Sequence, residues 1–418
     1  MSFPFFLARR FYNSAGCDKK RRASRLAIRI ATAGVALGLA VMLISICVVK
    51  GYQREIKERL VGFASHIEIL DRNSLASPES FPIVTDGTVM EMVKQMPDIG
   101  HVQRVSLKMG IIKTEDAFQT IVLKGVGKEY NLSFLKKHLV AGRIPGFTAD
   151  SAANAIIISK KQADAMHLGL GDRVYTYFIS DDIKLRRFRI EGIYETHLAQ
   201  FDTYYIWTGQ SVVNQLNNWQ EDQSSSLEIA LNDFSRLDEV QARLARSIGT
   251  RSDRNGANYS TLSVKENPRT AATFEWLALL DFNVWVILVL MMGVAGFTMI
   301  SGLLILILER TRTIGVLKAL GACNSRIRYT FILYAVLIVV RGLVWGNAIG
   351  LGIVALQNYF KPFRLDPSTY YVDAVPVEVD WTWVVGLNAA TLLVTVLALV
   401  VPSFVISRIQ PARAIRFE

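Results

Sequence analysis

Cysteine and histidine are scarce in this sequence, which has three cysteines and five histidines among 418 residues. Cys17, Cys47 and Cys323 all lie outside the stretch 51–282, so that stretch has to fold without disulfides. The histidines are far apart along the same stretch, and no two of them have the spacing of metal ligands. The sequence therefore predicts no metal site.

The sequence also lacks a phosphate-binding loop of the form G-x-x-x-x-G-K-[ST]. Gly125-Val126-Gly127-Lys128 has neither the required spacing nor the hydroxyl residue. Serine, histidine and acidic residues are present, but no motif marks any of them as catalytic. We therefore expect no catalytic residues, no cofactor-binding residues and no enzymatic activity on this chain.

Long apolar runs, by contrast, occur several times in this sequence. A continuous run of about 18 or more apolar residues is the mark of a membrane span. Four segments meet this description: Ile30–Val49, Val284–Leu308, Phe331–Leu356 and Trp381–Ile406. A buried helix of a soluble protein imitates one such run, but not four that are flanked by basic or aromatic residues. We predict four transmembrane helices.

The net charge of +11 is concentrated in short segments beside these spans. Residues 1–29 carry eight basic and one acidic side chain, residues 309–328 carry five and one, and residues 408–418 carry three and one. The stretch 51–282 is nearly balanced, with 27 basic and 29 acidic side chains. Because this distribution follows the positive-inside rule, we expect both termini in the cytoplasm and no nucleic-acid partner.

The first apolar run is too long for a cleaved signal peptide, and no small-residue cleavage site follows it. Ile44-Ser45-Ile46-Cys47 resembles a lipoprotein cleavage box only distantly, because Ile46 is not small. We expect the first run to be a membrane span, and the chain not to be a lipoprotein.

The expected fold class is a membrane all-α part of four transmembrane helices plus an extracytoplasmic α/β (α+β) domain inserted between helices 1 and 2. The expected segments are a cytoplasmic N-terminal segment (1–29), span 1 (30–50), an external domain with helical stalks (51–282), span 2 (283–308), a cytoplasmic helix (309–328), span 3 (329–357), an external loop (358–380), span 4 (381–406) and a cytoplasmic tail (407–418).

Short strands and helices alternate in the external domain. Strands are predicted at 65–70, 110–113, 120–126, 155–159, 172–179 and 185–194, and helices at 88–95, 160–168, 209–218 and 233–247. The last two strands are joined by Ser180-Asp181-Asp182 and predict a hairpin. Amphipathic patterns at 52–63 and 269–282 predict helical stalks. The pattern leaves open whether the domain has one lobe or two.

Small and charged residues within the spans are the next feature. The predicted helix-packing glycines are Gly34, Gly38, Gly342, Gly346 and Gly350. Glycines one turn apart let helices approach closely where lipid gives no hydrophobic drive for association. A charge within a span is costly, so Arg341 is a candidate intramembrane polar site that faces a partner helix, a polar cavity or, by snorkelling, the interface.

The segment Glu309–Arg328, ERTRTIGVLKALGACNSRIR, lies between spans 2 and 3 and is amphipathic. We predict a cytoplasmic helix on which Ile314, Leu317 and Ile327 rest against the bundle. In this prediction, the charged side chains face water: Arg310, Arg312 and Lys318. A plain basic interfacial loop is the alternative, but it does not predict the run Ile-Gly-Val-Leu-Lys-Ala-Leu-Gly-Ala.

This segment resembles the coupling helix of FtsX-like permeases, in the ABC transporter family that includes the macrolide exporter MacB. The residues that match are Glu309, Arg310, Ile314, Gly315, Leu317, Lys318, Ala319, Gly321 and Ala322. Thr313 departs from the family pattern, in which an acidic residue is common. The ending Pro411-Ala412-Arg413-Ala414-Ile415-Arg416 is also similar to that of the family. The resemblance implies a separate ATPase that contacts this helix.

Other segments resemble the lipoprotein-releasing (LolC/LolE-type) permeases within that family. They are 33–38, 50–56, 59–63, 141–145, 170–174 and 371–377. This resemblance covers nearly the whole chain. It implies a multi-pass protein of the bacterial inner membrane with a periplasmic MacB-like domain, paired with a second permease copy or paralogue. It also implies a lipoprotein substrate that enters between the first two spans and passes to a periplasmic chaperone.

One departure concerns the chaperone. In the LolC-type subunit a protruding hook is inserted in a hairpin of the external domain, and here the hairpin turns tightly at 180–183. The resemblance then implies either that this chain is the LolE-type half or that the chaperone docks in a different way. Two alternatives to lipoprotein release are a MacB-like efflux permease and an FtsX-like mechanotransmission protein that controls a cell-wall hydrolase. MacB-type chains usually carry their own ATPase, and the external domain of FtsX is much smaller than 51–282.

Overall fold

The structure is a computed structural model that describes residues 22–77, 79–85, 87–114, 117–147, 154–179, 182–249, 251–366 and 370–408. Cys17, the family-like ending 411–416 and the turn residues 180–181 lie outside the described residues. The described chain divides into two compact units. One, the membrane unit, comprises 22–54, 277–365 and 374–408; the other, the soluble unit, comprises 55–276 and 366–373.

Within the described residues, four helices are long and apolar enough to cross a membrane, as the sequence predicted. We name them span helices 1 to 4: Arg22–Ala64, Ala271–Glu309, Asn324–Phe360 and Trp381–Ser403. Span helices 1 and 2 include the predicted stalks without interruption. The described part of the membrane unit also contains two short helices, Thr311–Ala319 and Val405–Arg408.

Span helix 1 is the most enclosed of the four. Half of its most apolar stretch is buried, against a third in each of the others. Val35, Leu39 and Leu43, each four residues from the next, are all fully buried, so one face of the helix lies in the bundle core. The core is completed by apolar side chains of the other three helices.

The soluble unit is built on one mixed sheet. Its strands are β1 (Ile67–Asp71), β3 (Ile99–Lys113), β4 (Phe118–Val126), β5 (Leu139–Gly142), β6 (Ala155–Ser159), β7 (Arg173–Ile179), β8 (Ile183–Tyr194), β9 (Tyr205–Gly209), β11 (Ser226–Leu231) and β12 (Tyr259–Ser263). The order is β12-β1-β11-β3-β4-β9-β6-β8-β5, and β7 pairs with both β3 and β8. Two short strands, β2 (Ile83–Val84) and β10 (Gln223–Ser224), form a second sheet.

Helices cover this sheet in two places. The helices of the soluble unit are Gly87–Lys94, Ser133–Lys137, Lys160–Met166, Ala199–Asp202, Gln210–Asn217 and Leu237–Ile248. Lys160–Met166 and Gln210–Asn217 pack over one apolar core. Gly87–Lys94 and Leu237–Ile248 pack over a second. Within the described residues both of these cores lie against a single continuous sheet, which answers the question of one lobe or two.

Several strands were not predicted from the sequence. They are the first part of β3 together with β2, β5, β9, β10, β11 and β12. The six predicted strands and four predicted helices are present, with boundaries that shift by a few residues. The predicted hairpin is also present, because β7 and β8 pair from Arg173↔Arg189 to Ile179↔Ile183.

Candidate functional site

The segment that links span helices 2 and 3 contains the predicted helix, which runs from Thr311 to Ala319. Ile314 is fully buried, and Leu317 packs beside it against the bundle core, which also contains Ile327. These three side chains lie where the amphipathic pattern predicted them. The helix therefore rests on the membrane bundle through one apolar face.

The prediction that three charged side chains of this segment face water was wrong for two of them. Arg312 is exposed, but Arg310 is only 8% exposed. Lys318 is half-buried and donates to the main-chain oxygen of Ile406 at 2.8 Å. The reason is that the last carbonyls of a helix need donors, and Lys318 supplies one to the helix Val405–Arg408. Glu309, the last residue of span helix 2, is exposed.

The outward face of this helix carries apolar residues that the sequence reasoning missed. Val316 is 44% exposed and Leu320 is 79% exposed. They are four residues apart, so they lie on one face of the turn. The sequence did contain a signal for this face. Val316 and Leu320 are four residues apart, a spacing that places both of them on the side of the helix away from the buried Ile314. An exposed apolar face next to Arg312 is suited to contact another protein.

Gly321 is required by the backbone. It follows the helix with φ of +89°, a conformation that side chains disfavour. The Gly321 amide donates to the Lys318 oxygen and the Ala322 amide donates to the Leu317 oxygen, each at 3.0 Å. This pair of hydrogen bonds is the Schellman ending of a helix. Gly321 thus terminates the helix Thr311–Ala319, which we call the connecting helix, so that span helix 3 can begin at Asn324.

The glycines of span helix 3 lie against span helix 1. A Cβ atom added to Gly342 would come within 2.9 Å of Val35 Cβ, and one added to Gly346 within 2.8 Å of the Ala36 oxygen. Gly350 approaches Ala40 Cα at 3.2 Å by the same measure. Gly34 and Gly38 of span helix 1 face span helix 2 instead, at Thr298 and Ala295.

Two polar features of span helix 3 differ in position. Arg341 faces outwards, whereas Asn347 bonds to a neighbouring helix. Arg341 is exposed on the outer surface of span helix 3, so within the described chain it does not line a closed polar cavity. One turn and a half further on, Asn347 Nδ2 donates to Asn388 Oδ1 at 2.7 Å, and Asn388 Nδ2 returns the bond at 3.0 Å. This reciprocal pair joins span helices 3 and 4. The sequence showed Asn347 as a polar interruption but gave no sign of its partner.

Two of the segments that resemble the LolC/LolE-type permeases contact each other at one end of the membrane unit. A Cβ added to Gly51 would come within 2.7 Å of Val377 Cα. The Glu378 amide donates to the Cys47 oxygen at 3.0 Å, and Arg54 pairs with Glu378 at 2.8 Å. The stretch before span helix 4 therefore packs directly on span helix 1, and Gly51 provides the space.

The soluble unit contains a buried ion pair. Lys124 and Glu228 are 3% and 4% exposed, and Lys124 Nζ is 2.7 Å from Glu228 Oε1. Lys124 also donates to the Phe63 oxygen at 2.6 Å, and Gln103 donates to Glu228 Oε2 at 2.9 Å. We call these four residues the central polar cluster. Both charges are compensated, as buried charges must be.

Glu68 of β1 lies directly opposite Glu228 of β11. Like charges opposite each other on neighbouring strands are unfavourable. Burial, with a further contribution from Glu228, raises the pKa of Glu68 to about 7. The described residues contain no group of three or more His, Cys, Asp or Glu side chains placed to hold a metal ion.

Four helices of spanning length, with an α/β domain inserted after the first, define a multi-pass membrane protein with one large water-soluble domain. A family model described as FtsX-like permease C-terminal matches residues 285–411, and one described as MacB-like periplasmic core domain matches residues 30–247. The chain therefore belongs to the FtsX-like ABC-transporter permeases that carry a MacB-like periplasmic core domain.

Known relatives are similar over most of their length. The chain is 22% identical to the lipoprotein-releasing system transmembrane protein LolE of Haemophilus influenzae, over 99% of both chains. It is 23% identical to the corresponding LolC of Xylella fastidiosa, over 92% of both chains. The crystal structure of the periplasmic region of MacB from Actinobacillus actinomycetemcomitans matches 49% of this chain and 91% of its own, at 14% identity and a TM-score of 0.33.

Proposed function

We propose that this chain is the permease subunit of an ABC transporter that extracts lipoproteins from the inner membrane for transfer towards the outer membrane. The observation that carries the proposal is the likeness to a lipoprotein-releasing permease over 99% of both chains. Removing an acyl chain from a bilayer costs about 0.8 kcal/mol per CH₂ group, so a multiply acylated protein needs an energy source. ATP hydrolysis by a separate ATPase subunit would supply it.

The proposal also specifies the membrane, the orientation and the partners of the chain. It is a protein of the bacterial inner membrane, with both termini in the cytoplasm and the soluble unit in the periplasm. The basic excess beside the spans supports this orientation. A second permease, either a copy or a paralogue, completes the membrane part, and a periplasmic chaperone receives the lipoprotein.

The hairpin of β7 and β8 favours the LolE-type half of such a pair. Ile179 pairs with Ile183, so only three residues separate the two strands. That length leaves no room for an inserted hook of the LolC type. We therefore propose that the partner permease, rather than this chain, provides the hook for the chaperone.

The proposal is tested by depleting the protein in its native host and measuring where lipoproteins accumulate. Outer-membrane lipoproteins should move to the inner-membrane fraction, while outer-membrane proteins without acyl chains stay in place. Correct lipoprotein sorting after depletion would refute the proposal. Purification of the native complex separates the alternatives, since an ATPase with an outer-membrane channel indicates efflux and one with a cell-wall hydrolase indicates mechanotransmission.

We further propose that the ATPase contacts the outward face of the connecting helix, at Val316 and Leu320. An aspartate at Leu320 places a charge in an apolar contact, and loss of a central interface side chain costs about 2 kcal/mol or more. We expect L320D to lower permease-stimulated ATPase activity and lipoprotein release by at least about tenfold. Gly315 and Leu317 pack on the bundle, so bulky residues there would alter the position of the helix.

The control for L320D is L75D, a substitution of an exposed leucine of the soluble unit that is 47% exposed. Both variants are measured in proteoliposomes with the purified ATPase. L320D should remain folded, with an unchanged elution volume and thermal midpoint. Normal release by L320D would show that the ATPase contacts another surface.

A further inference from the structure

A cavity of about 440 Å³ lies in the soluble unit, over one face of the sheet. Its floor includes Glu68 and Leu70 of β1, Ser226 of β11 and Leu262 of β12. The register places these residues side by side, because Glu68 pairs with Leu262 and Leu70 pairs with Ser226. Sites for small ligands have volumes of about 300–1,000 Å³. The proposed transport function uses none of these side chains.

Glu68 brings a carboxylate without a direct partner to this floor. The side chain is partly exposed, and within the described residues it accepts no hydrogen bond and forms no ion pair. Its neighbour Glu228 is engaged with Lys124 at 2.7 Å, and neither of these two side chains is among the described residues that line the cavity. A carboxylate partly withdrawn from water gains free energy from a cation or a donor placed beside it.

The hydroxyl of Ser226 is a second unused polar group at the same place. The residue is only 4% exposed, and within the described residues its Oγ atom has no hydrogen-bond partner. The atom is not sealed from solvent, so its accessible surface opens into the cavity that the residue lines. Ser226 is diagonal to Glu68 across the β1–β11 pair, a separation of about 7–8 Å. One ligand group placed between the two side chains can contact both.

The charge of the cavity favours a cation. The described lining contains three carboxylates, those of Glu68, Glu79 and Glu266, against the guanidinium of Arg269, which gives a net charge of −2 when all are ionised. The guanidinium donates to the hydroxyl of Tyr205 and lies over its ring, 5.5 Å from the centroid, so it is held by that contact. Glu79 and Glu266 are exposed and attract cations towards the cavity.

Part of the lining is apolar. Leu70, Leu107 and Leu262 contribute hydrocarbon surface to the cavity. A bare metal ion would leave this surface and most of the volume to water. An alkylammonium group fits both parts of the lining. Its three N–H donors suit a carboxylate and a hydroxyl, and its carbon chain covers the leucines, in the way that a lysine side chain buries its stem and keeps its charge solvated.

We propose that this cavity binds a primary ammonium group on an aliphatic chain, with the nitrogen between Glu68 and the Ser226 hydroxyl and the chain against the three leucines. The inference does not depend on what the permease transports. The ammonium group has two possible sources, a small free amine or a lysine side chain of a polypeptide. In either case the soluble unit recognises a ligand of its own on the face of its sheet.

The experiment is isothermal titration calorimetry on the full chain in detergent. The first pair of probes is butylammonium chloride and its neutral counterpart butanol. The second pair is the peptide acetyl-Ala-Lys-amide and its form acetylated at Nε. Titration into detergent buffer alone gives the heat of partition into micelles, which is subtracted. We expect saturable binding of an amine and none of the matching neutral probe.

Two variants test the assigned contacts. E68Q should weaken binding by about tenfold or more, because a hydrogen bond to a charged group is lost. Its thermal midpoint should stay the same or rise, because the like charge opposite Glu228 is removed. S226A should weaken binding by about threefold to tenfold, as expected for one neutral acceptor. The matched control is E91Q, at an exposed position of the same unit, which should bind as the unaltered chain does.

The pH dependence of binding is a further readout. Burial and the charge of Glu228 raise the pKa of Glu68 to about 7, whereas the charges of Lys124 and Arg269 act against this rise. The ammonium group needs the ionised carboxylate, so its dissociation constant should be about tenfold lower at pH 8 than at pH 6. E68Q should abolish this difference.

The outcomes are separable. Binding of butylammonium assigns the site to small amines, and binding of the lysine peptide alone assigns it to polypeptides. Equal binding of charged and neutral probes would overturn the proposal, as would no binding at all or binding that E68Q leaves unchanged. Equal competition by sodium chloride would indicate a site for simple cations and would also overturn it. A marked fall in the thermal midpoint of E68Q would show that the carboxylate supports the fold, with the same consequence.

Discussion

Replacing Gly346 with leucine is expected to prevent span helices 1 and 3 from packing together. A Cβ at this position would lie 2.8 Å from the Ala36 oxygen and 3.0 Å from Leu39 Cβ. The oxygen belongs to the backbone of a fully formed helix, so it cannot move aside without displacing the helix. Overpacking of this kind costs about 1–3 kcal/mol or more, in a bilayer where close packing is the main attraction between helices.

Gly352 provides a control on the same helix. No heavy atom of the described chain lies within 4 Å of a Cβ added there, so G352L should be tolerated. We expect G346L to lower the yield of monodisperse protein by about tenfold, which corresponds to about 1.4 kcal/mol, and to lower its thermal midpoint. The measurement is fluorescence-detected size exclusion with a thermal ramp. Equal behaviour of G346L and G352L would mean that this glycine contact does not hold the bundle together.

A second large effect is expected in the soluble unit, from Lys124→Met. The variant leaves Glu228 buried at 4% exposure without its cation. Removing one partner of a buried ion pair costs about 3–5 kcal/mol, and for a domain of this size that should lower the thermal midpoint by about 10 °C. Lys124 also lies 5.0 Å from the ring centroid of Trp207, so this contact is lost as well.

The comparison variants separate charge from packing. Lys265 pairs with Asp238 at 2.8 Å on the surface, where such a pair contributes about 0–1 kcal/mol, so K265M should change little. The double variant K124M/E228L replaces both charges by apolar groups and should recover most of the lost stability. The midpoints are measured on the full chain at neutral pH. A double variant as unstable as K124M would contradict the assignment of the loss to an uncompensated charge.

The central polar cluster also shows where prediction from sequence stops. Strand β6 was predicted because its apolar run is continuous and mostly β-branched, and its residues from Ala155 to Ser159 are all buried. Strand β11 was missed because a glutamate and serines interrupt its apolar pattern. Glu228 can be buried there only because Lys124 meets it, and the two are 104 residues apart. Local propensity cannot reveal a partner at that distance.

The connecting helix is a second example of what the sequence can and cannot predict. Its existence and its buried face followed from the spacing of Ile314 and Leu317, because periodicity reports burial directly. The environment of Lys318 did not follow, since its acceptor is a main-chain oxygen 88 residues away. The position of Gly321 was recognised by resemblance, and its reason, a positive φ, was visible only in the backbone. The cavity beside Glu68 left no sign in the sequence.

The position of β1 in the sheet governs how the soluble unit can form during synthesis. β1 enters the chain first among the strands, yet its neighbours are β11 and β12, and its residue Ile67 pairs with Ile229 and Ser263. Pairing between such distant segments is slow, because a long loop must close before any contact is made. The sheet therefore cannot close until the ribosome has released Ser263. Until then β1 lacks at least one of its two neighbouring strands, and an unpaired strand edge of this kind is prone to aggregate.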